Sequence, residues 1–219
     1  AWVKSRIGQS TIDLALFSGT YSDWIGGWED SLTYFASYER DFSEVTGLDT
    51  TDLWFSTYYQ DSESGEDRLA RGIQYAFAFV SRWADGPWAL HTTLGLGDNG
   101  PQNSPEQSGD FWGAVLMPMY WLVVDEQKLV FRYQYQSAEE AQGIRMNNRY
   151  ARMAAADDAQ IEINSSRGDE HHSLYLGYNY YFCGDNLKLV TGIQWDELRS
   201  EGDVFFRGWT LGAGIRLLL

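Results

Sequence analysis

Cysteine, proline and long apolar runs are scarce in this sequence, and each scarcity narrows the class of protein. Cys183 is the single cysteine, so the chain cannot form an internal disulfide. No stretch approaches the ~20 apolar residues that a membrane-spanning helix needs. Lys and Arg number 16 against 31 Asp and Glu, a net charge of -15, which argues against a nucleic-acid partner.

Aromatic residues and glycine are abundant instead. The 219 residues include 10 Trp, 14 Tyr, 11 Phe and 22 Gly, but only 4 Pro. Such a composition favours β-strands over helices.

Apolar and polar residues alternate along most of the chain, as they do in half-buried strands. The run LKLVTGIQW, residues 187–195, shows the pattern. Most of the runs approach or exceed the ~9–11 residues with which a tilted strand crosses a bilayer. Residues 1–8 break the parity of the run after them, as either the end of a preceding strand or a loose terminus. We predict about ten strands by this pattern, at 9–18, 30–41, 51–61, 69–82, 87–98, 109–122, 127–137, 171–183, 186–197 and 204–219.

The connections between these strands alternate in length. Those at 84–87, 123–128 and 183–186 are short, although the connection at 42–50 is not. A second set is long, polar and acidic, at 19–29, 62–68, 99–108 and 138–170. Short turns at one end and long loops at the other are typical of an outer-membrane barrel. We therefore predict one antiparallel transmembrane β-barrel domain over residues 1–219, with residues 138–170 as a long extracellular loop.

A soluble β-sandwich or lipocalin-like barrel is the alternative, because alternation alone does not show which face points inward. Two observations favour the membrane. The face opposite the apolar one is mostly uncharged, whereas soluble surfaces are richer in Lys and Glu. Aromatic residues also cluster at strand ends, as in the girdles at the two lipid–water interfaces. These are Trp88, Trp121, Trp195 and Trp209, with Tyr59, Tyr135 and Tyr180.

The last strand has apolar residues at odd positions and mostly small or polar ones at even positions. Odd positions would face lipid and even positions the lumen. The strand is similar to the C-terminal insertion signal that the barrel-assembly machinery reads in bacterial outer-membrane proteins, although those proteins more often end in Phe or Trp. The signal residues would be Trp209, Leu211, Ile215, Leu217 and Leu219.

The segment HSLYLGYNYYFCGDNLKLVTGIQWDEL, residues 172–198, and the final strand resemble the phosphate-selective porin O/P family. That family pairs a Y-x-G-x-N-Y-Y strand, a very short turn and an L-K-L-x-x-G strand near its C-terminus. IDLALFSG, residues 12–19, resembles its strand before a long outer loop. The resemblance implies a porin of the Gram-negative outer membrane and a homotrimer of sixteen-stranded barrels. The ten strands would then be part of such a barrel, with N-terminal strands missing, or a smaller relative.

The charged residues at inward positions are the candidate pore lining. Parity places Glu39, Arg82, His91, Arg132, Lys188 and Arg216 there, with Asp13. This is a slight cationic excess inside an acidic chain. Around eight strands leave an interior filled by side chains, whereas sixteen or more enclose an aqueous channel. The expected function is therefore passive diffusion of small hydrophilic solutes or ions, with at most a weak preference for anions.

Three arginines of the long loop, Arg145, Arg149 and Arg152, fall at i, i+4 and i+7 in a helix-compatible stretch. This spacing would place them on one helical face. They could fold inward as an anion-selecting constriction. They could equally form a solvated loop whose arginines pair with nearby carboxylates. The arginine- and lysine-lined eyelets of the porin family cannot be assigned residue by residue, so phosphate selectivity does not follow.

The sequence contains no catalytic or metal motif, since it has neither G-x-S-x-G nor H-E-x-x-H. GDEHH, residues 168–172, could place an Asp and a His at the outer rim, but neighbouring strand residues point in opposite directions. We expect no enzyme activity, no cofactor and no metal. The alternative is a barrel enzyme or adhesin that acts through its outer loops. The other expected partners are outer-membrane lipid and lipopolysaccharide, to whose phosphates the acidic loops could be bridged by divalent cations.

Overall fold

The computed structural model describes residues 1–18, 32–61, 73–100, 104–146, 166–184 and 186–217. It contains one large antiparallel sheet of eleven strands and a separate two-stranded sheet. The large sheet consists of β1 (Trp2–Ile7), β2 (Ser10–Ser18), β3 (Leu32–Asp41), β4 (Thr50–Gln60), β5 (Tyr75–Asp85), β6 (Trp88–Asp98), β7 (Asp110–Val123), β8 (Gln127–Ala138), β11 (Glu170–Tyr181), β12 (Leu187–Ser200) and β13 (Asp203–Leu217). The small sheet consists of β9 (Ile144–Arg145) and β10 (Arg167–Gly168).

The large sheet is a simple meander. Every strand pairs with its neighbour in the sequence, except that β8 pairs with β11 because β9 and β10 lie apart. Each of the ten predicted strands is present. The additional strand is β1, which pairs with β2 from Trp2↔Ala15 to Ile7↔Ser10. Residues 1–8 are therefore mostly strand rather than a loose terminus.

The short connections end the strands through tight backbone geometry. The turn between β5 and β6 has Gly86 at φ 55, and the turn between β7 and β8 has Asp125 at φ 63. Glycine adopts this left-handed region freely and aspartate tolerates it better than most residues. The longer connection between β3 and β4 contains a four-residue helix, α1 (Ser43–Thr46), which ends at Gly47 in the left-handed conformation. No helix in the described residues is long and apolar enough to cross a membrane.

The described strands do not close into the predicted barrel. β1 and β13 are the two edges of the large sheet and do not pair with each other. An edge strand presents unpaired backbone N–H and C=O groups on its free side. The fold that the structure establishes is therefore an all-β, open antiparallel sheet, with eleven strands in place of about ten.

The register separates the side chains into two faces. We call one the apolar face, since paired positions across β2 to β7 place Leu14, Phe77, Leu96 and Trp112 on it. We call the other the polar face; one of its rows runs from Asp13 through Ser37, Gly95 and Gln136 to His171.

Exposure on the two faces is the reverse of that in a water-soluble sheet. Side chains on the apolar face are open, among them Leu94 (52%), Leu176 (55%), Leu211 (81%) and Ile215 (75%). Polar side chains on the other face are buried, including Ser37, His171, Ser173 and Asp196. The buried apolar cluster is small, with Leu198 and Phe206 at its centre and Met146 and Phe205 packed against them. The sheet has no large apolar core on either side of its described strands.

Aromatic pairs lie at both ends of the apolar face. Trp88 and Tyr120 pack 4.5 Å apart, ring to ring, near the short turns, as do Tyr180 and Phe182 at 4.8 Å. Tyr34 with Tyr59 and Trp112 with Tyr135 occupy the end with the long loops. One predicted girdle residue is an exception, because Trp121 pairs with Lys128 and so lies on the polar face. Its ring is covered by the Lys128 ammonium at 3.7 Å, because Lys128 is its direct partner across β7 and β8.

Candidate functional site

The polar face carries all the predicted pore-lining residues. Arg82 is directly opposite His91, and Lys188 is directly opposite Arg216. Glu39 pairs with Trp54 and Arg132 with Tyr175 in rows of the same face. Parity therefore gave the correct face for each, because no register shift intervenes along these rows. That these six side chains line a pore remains a prediction.

A continuous polar network crosses β8, β11 and β12 on this face. His171 lies 3.1 Å from Gln136 through Nδ1 and 3.4 Å from Asp196 through Nε2. Gln194 Nε2 donates to both carboxylate oxygens of Asp196 at 2.9 and 2.8 Å. Arg132 Nη2 in turn donates to Gln194 Oε1 at 3.0 Å. His171 is 2% exposed and Asp196 is 1% exposed. The Gln194 amide therefore joins this buried pair to the Arg132 guanidinium.

Glycines shape the surface next to this network. A Cβ on Gly192 would lie 2.4 Å from the Tyr175 ring, and one on Gly177 would lie 2.3 Å from its hydroxyl oxygen. The ring therefore lies flat across both strands, in space that only glycine leaves open. The Arg132 guanidinium sits 5.4 Å from the centre of that ring. The amide of Gln194 and the tyrosine ring together fix the position of the Arg132 guanidinium on the polar face.

The long loop between β8 and β11 folds across the polar face, at the end of the sheet where the long connections lie. Asn99 Nδ2 donates to the Gly143 carbonyl at 3.1 Å, and Ser200 Oγ donates to the Ala141 carbonyl at 2.9 Å. Ile144 is buried. These contacts attach residues 139–146 to strands on both sides of the loop, so this part of it covers the sheet instead of projecting from it.

Arg145 and Arg167 are the two arginines of the covering segment, and they are directly opposite each other in the β9–β10 ladder. Arg167 Nη1 donates to the Gln142 carbonyl at 2.9 Å. No described carboxylate lies within ion-pair distance of either guanidinium. Burial, and then the charge of Arg145, lower the pKa of Arg167 below its ordinary value. Like charges in directly opposed positions repel each other, and no described carboxylate neutralises these two.

The two arginines line a cavity of about 380 Å³ over the polar face. Four amide side chains contribute to its lining, and each can donate hydrogen bonds to an anion. Its walls include Thr93, Asn99, Gln107, Gln134, Gln136 and Ile144.

The predicted helix of loop arginines is not confirmed. Arg145 lies in a strand because it pairs with Arg167, so the described end of this segment is extended. Arg149 and Arg152 lie outside the described residues. Sequence reasoning missed Arg167, since its contribution depends on a ladder between residues that are 22 positions apart.

The terminal strand has the predicted alternation. Trp209, Leu211, Ile215 and Leu217 are exposed on the apolar face, and Arg216 lies on the polar face opposite Lys188. Leu219 is outside the described residues. The role of this strand as an insertion signal remains a prediction.

A charged cluster at the long-loop end of the apolar face was not predicted. Glu197 is 3% exposed and accepts hydrogen bonds from Arg199 at 2.6 Å and Arg207 at 2.5 Å. Glu170 lies 3.4 Å from Arg199 and 3.3 Å from His172. In the register, this cluster follows directly after the Trp195–Trp209 pair. The open apolar band therefore ends at Trp195 and Trp209.

The rim sequence GDEHH does not form an Asp–His dyad. His171 faces Asp196 on the polar face, whereas His172 lies beside Glu170 and the Tyr133 hydroxyl on the apolar face. The Asp169 carboxylate instead accepts the backbone N–H of Glu201 at 2.9 Å. Within the described ranges, no group of three or more His, Cys, Asp or Glu side chains could hold a metal ion.

Comparison of the chain with protein-family models, curated proteins and solved structures gives no match. The resemblance of the C-terminal residues to phosphate-selective porins therefore remains an expectation from the sequence.

Proposed function

We propose that this protein is an outer-membrane porin whose polar face lines a passive diffusion channel for small hydrophilic solutes and ions. The observation that carries the proposal is the inverted polarity of the sheet. Large aliphatic side chains such as Leu94 and Leu211 are open on one face, while Ser173 and Asp196 are buried on the other. Water-soluble monomers rarely expose so continuous an apolar surface, but a sheet with lipid outside and water inside requires one.

Strand length and aromatic placement support the same setting. The strands from β2 to β13 in the large sheet run from 9 to 15 residues, and a tilted strand crosses a bilayer in about 9–11. Aromatic pairs flank the aliphatic band at both ends, where lipid meets water.

In this proposal the two edge strands become part of a closed barrel. Unpaired backbone groups are strongly unfavourable in hydrocarbon, so β1 and β13 would each pair with a further strand. With further strands that bring the barrel to sixteen or more, it would enclose an aqueous channel and not a side-chain core. A trimer and recognition of β13 by the assembly machinery belong to the same proposal.

The arginines over the cavity support a weak preference for anions. Arg145 and Arg167 carry two positive charges with no described carboxylate beside them. They lie on a segment that covers part of the polar face and would narrow a channel there. Guanidinium groups at a constriction attract anions by charge and by directed hydrogen bonds.

Conductance across a planar bilayer tests the proposal. The purified full-length protein is expected to give stable ohmic steps, and a potassium chloride gradient is expected to give a reversal potential on the anion side. Vesicle flotation first establishes that the protein has inserted. An inserted protein that never conducts would overturn the channel and favour a sealed barrel that acts through its loops as an enzyme or adhesin. A clear cation preference would overturn only the anion preference.

A further inference from the structure

The charges on the polar face are sorted by sign across the sheet. We call the acidic sector the group on β3 and β4, which contains Glu39, Asp41 and Asp52. We call the basic sector the group from β5 to β13, which contains Arg82, Lys128, Arg132, Lys188 and Arg216. The register places all eight side chains on the polar face.

The remaining charges of this face do not cancel the separation. Asp13 on β2 is paired with Lys4 of β1, with Nζ 3.6 Å from Oδ2. Arg6 lies on β1, at the outer edge of the sheet and beyond the acidic sector. Asp196 lies among the basic strands, but it is 1% exposed and its carboxylate accepts two hydrogen bonds from Gln194, so a solute above the sheet does not reach it directly.

The two sectors meet in one row. Asp41, Asp52, Arg82 and His91 are successive partners across β3 to β6. Asp52 and Arg82 are directly opposed and of opposite sign, yet no oxygen–nitrogen contact within 4.0 Å joins them in the described residues. Arg82 is exposed and Asp52 is partly exposed, so both charges can reach a solute.

Resting on the proposed channel, we propose that this row selects small zwitterionic solutes, with a primary ammonium and a carboxylate on the same carbon. The ammonium would face Asp41 and Asp52, and the carboxylate would face Arg82. Neighbouring strands lie about 4.8 Å apart, so one small solute can reach a carboxylate on one strand and a guanidinium on the next. A guanidinium can hold a carboxylate through two parallel hydrogen bonds, while an ammonium is a compact charge that a pair of carboxylates can hold.

The short-turn end of the sheet is a suitable place for such a row. Arg82 and His91 lie on either side of the turn at Gly86, within five residues of it. The covering loop, which carries Arg145 and Arg167, contacts the opposite end, where the long connections lie. A solute crossing the channel would meet the Arg145–Arg167 pair and the Asp52–Arg82 row as two separate filters.

Two solutes of identical composition isolate the effect of charge. Glycine is a zwitterion at neutral pH, and its isomer glycolamide is uncharged. Swelling of vesicles that contain the full-length protein gives the ratio of the two permeabilities. For the wild-type protein, the ratio is expected to be at least roughly twofold higher in 0.01 M salt than in 1 M salt, because screening shortens from about 30 Å to about 3 Å.

Variants place the effect on the row. Asp52→Asn and Arg82→Gln are each expected to lower the glycine-to-glycolamide ratio by roughly twofold at low salt, since each removes one of the two charges that the solute meets. The matched controls are Asp85→Asn and Arg40→Gln, which remove the same kinds of charge from the other face and should leave the ratio unchanged.

The outcomes separate this proposal from the channel itself. If neither solute causes swelling, the channel fails and the proposal fails with it. If both solutes cause swelling but the ratio ignores salt and both row variants, the channel stands and zwitterion selection is overturned. A variant that does not insert is set aside by flotation, and the salt dependence of the wild-type protein then decides alone.

Discussion

The apolar and polar faces of this sheet come from the same strands, yet they reverse the usual relation between polarity and exposure. Leu94 is half open to solvent while its neighbours on the other face include polar groups that line a cavity. Across β12, Ile193 is exposed and Asp196 is buried. Burial of apolar area stabilises a fold in water. A sheet that leaves its apolar face open would therefore gain little of this stabilisation in water. The difference teaches that the medium next to each face is part of what stabilises the protein.

The largest expected effect comes from a charge on the apolar face. Leu94→Arg should destabilise the protein in a bilayer by about 2–4 kcal/mol, the cost of an arginine near the membrane midplane. Thr93→Arg is the matched control, because Thr93 is the next residue and lies beside the polar cavity. Equilibrium unfolding in lipid vesicles measures both. Equal costs at the two positions would contradict the assignment of the faces.

A smaller loss is expected when the buried polar network is broken. Asp196→Ala removes the buried carboxylate that His171 and Gln194 contact and should cost about 2 kcal/mol of unfolding free energy. Asp203→Ala, at an exposed position of the β12–β13 hairpin, should stay within about 0.5 kcal/mol of the wild type. Urea titration of both variants is the measurement, and a neutral Asp196→Ala would mean that the network does not stabilise the polar face.

A substitution at the glycines next to Tyr175 should lower the unfolding free energy by a smaller amount. Gly192→Ala forces the Tyr175 ring to move and should cost about 1–2 kcal/mol by overpacking. Gly212→Ala is the control, since nothing lies within 4 Å of its added Cβ. The same urea titration compares them. If Gly212→Ala costs as much as Gly192→Ala, the loss reflects strand propensity and not the packing of Tyr175.

The smallest effect concerns ion selectivity and leaves stability unchanged. Arg145→Gln with Arg167→Gln removes two charges over the cavity that have no described carboxylate beside them and should move the reversal potential toward that of a non-selective channel. Arg40→Gln on the apolar face serves as the control. An unchanged reversal potential in the double variant would show that these arginines do not set the preference for anions.

Much of this comparison could be predicted from the sequence, because period-two alternation fixes the face of each residue once a strand is recognised. The pore-lining candidates, from Glu39 to Arg216, all fall on one face for that reason. Trp121 is an exception, because it was assigned to the aromatic girdle from its place at a strand end, whereas its parity within β7 puts it on the polar face opposite Lys128.

Contacts between distant segments could not be predicted. The opposition of Arg145 and Arg167, and the contact of His171 with Asp196, depend on which strands become neighbours. The helical spacing of Arg145, Arg149 and Arg152 was misleading for Arg145, since a local period cannot show that a segment pairs with another one. Closure of the barrel likewise depends on what pairs with β1 and β13.

The central claim is that the apolar face contacts lipid and the polar face contacts water. Spin labels on single cysteines at successive positions 92 to 96, in a Cys183→Ser background, test it in vesicles. Collisions with oxygen, which is concentrated in hydrocarbon, should peak at positions 92, 94 and 96, and collisions with a water-soluble nickel chelate should peak at 93 and 95. Equal chelate accessibility at all five positions, or peaks in the opposite phase, would contradict the account.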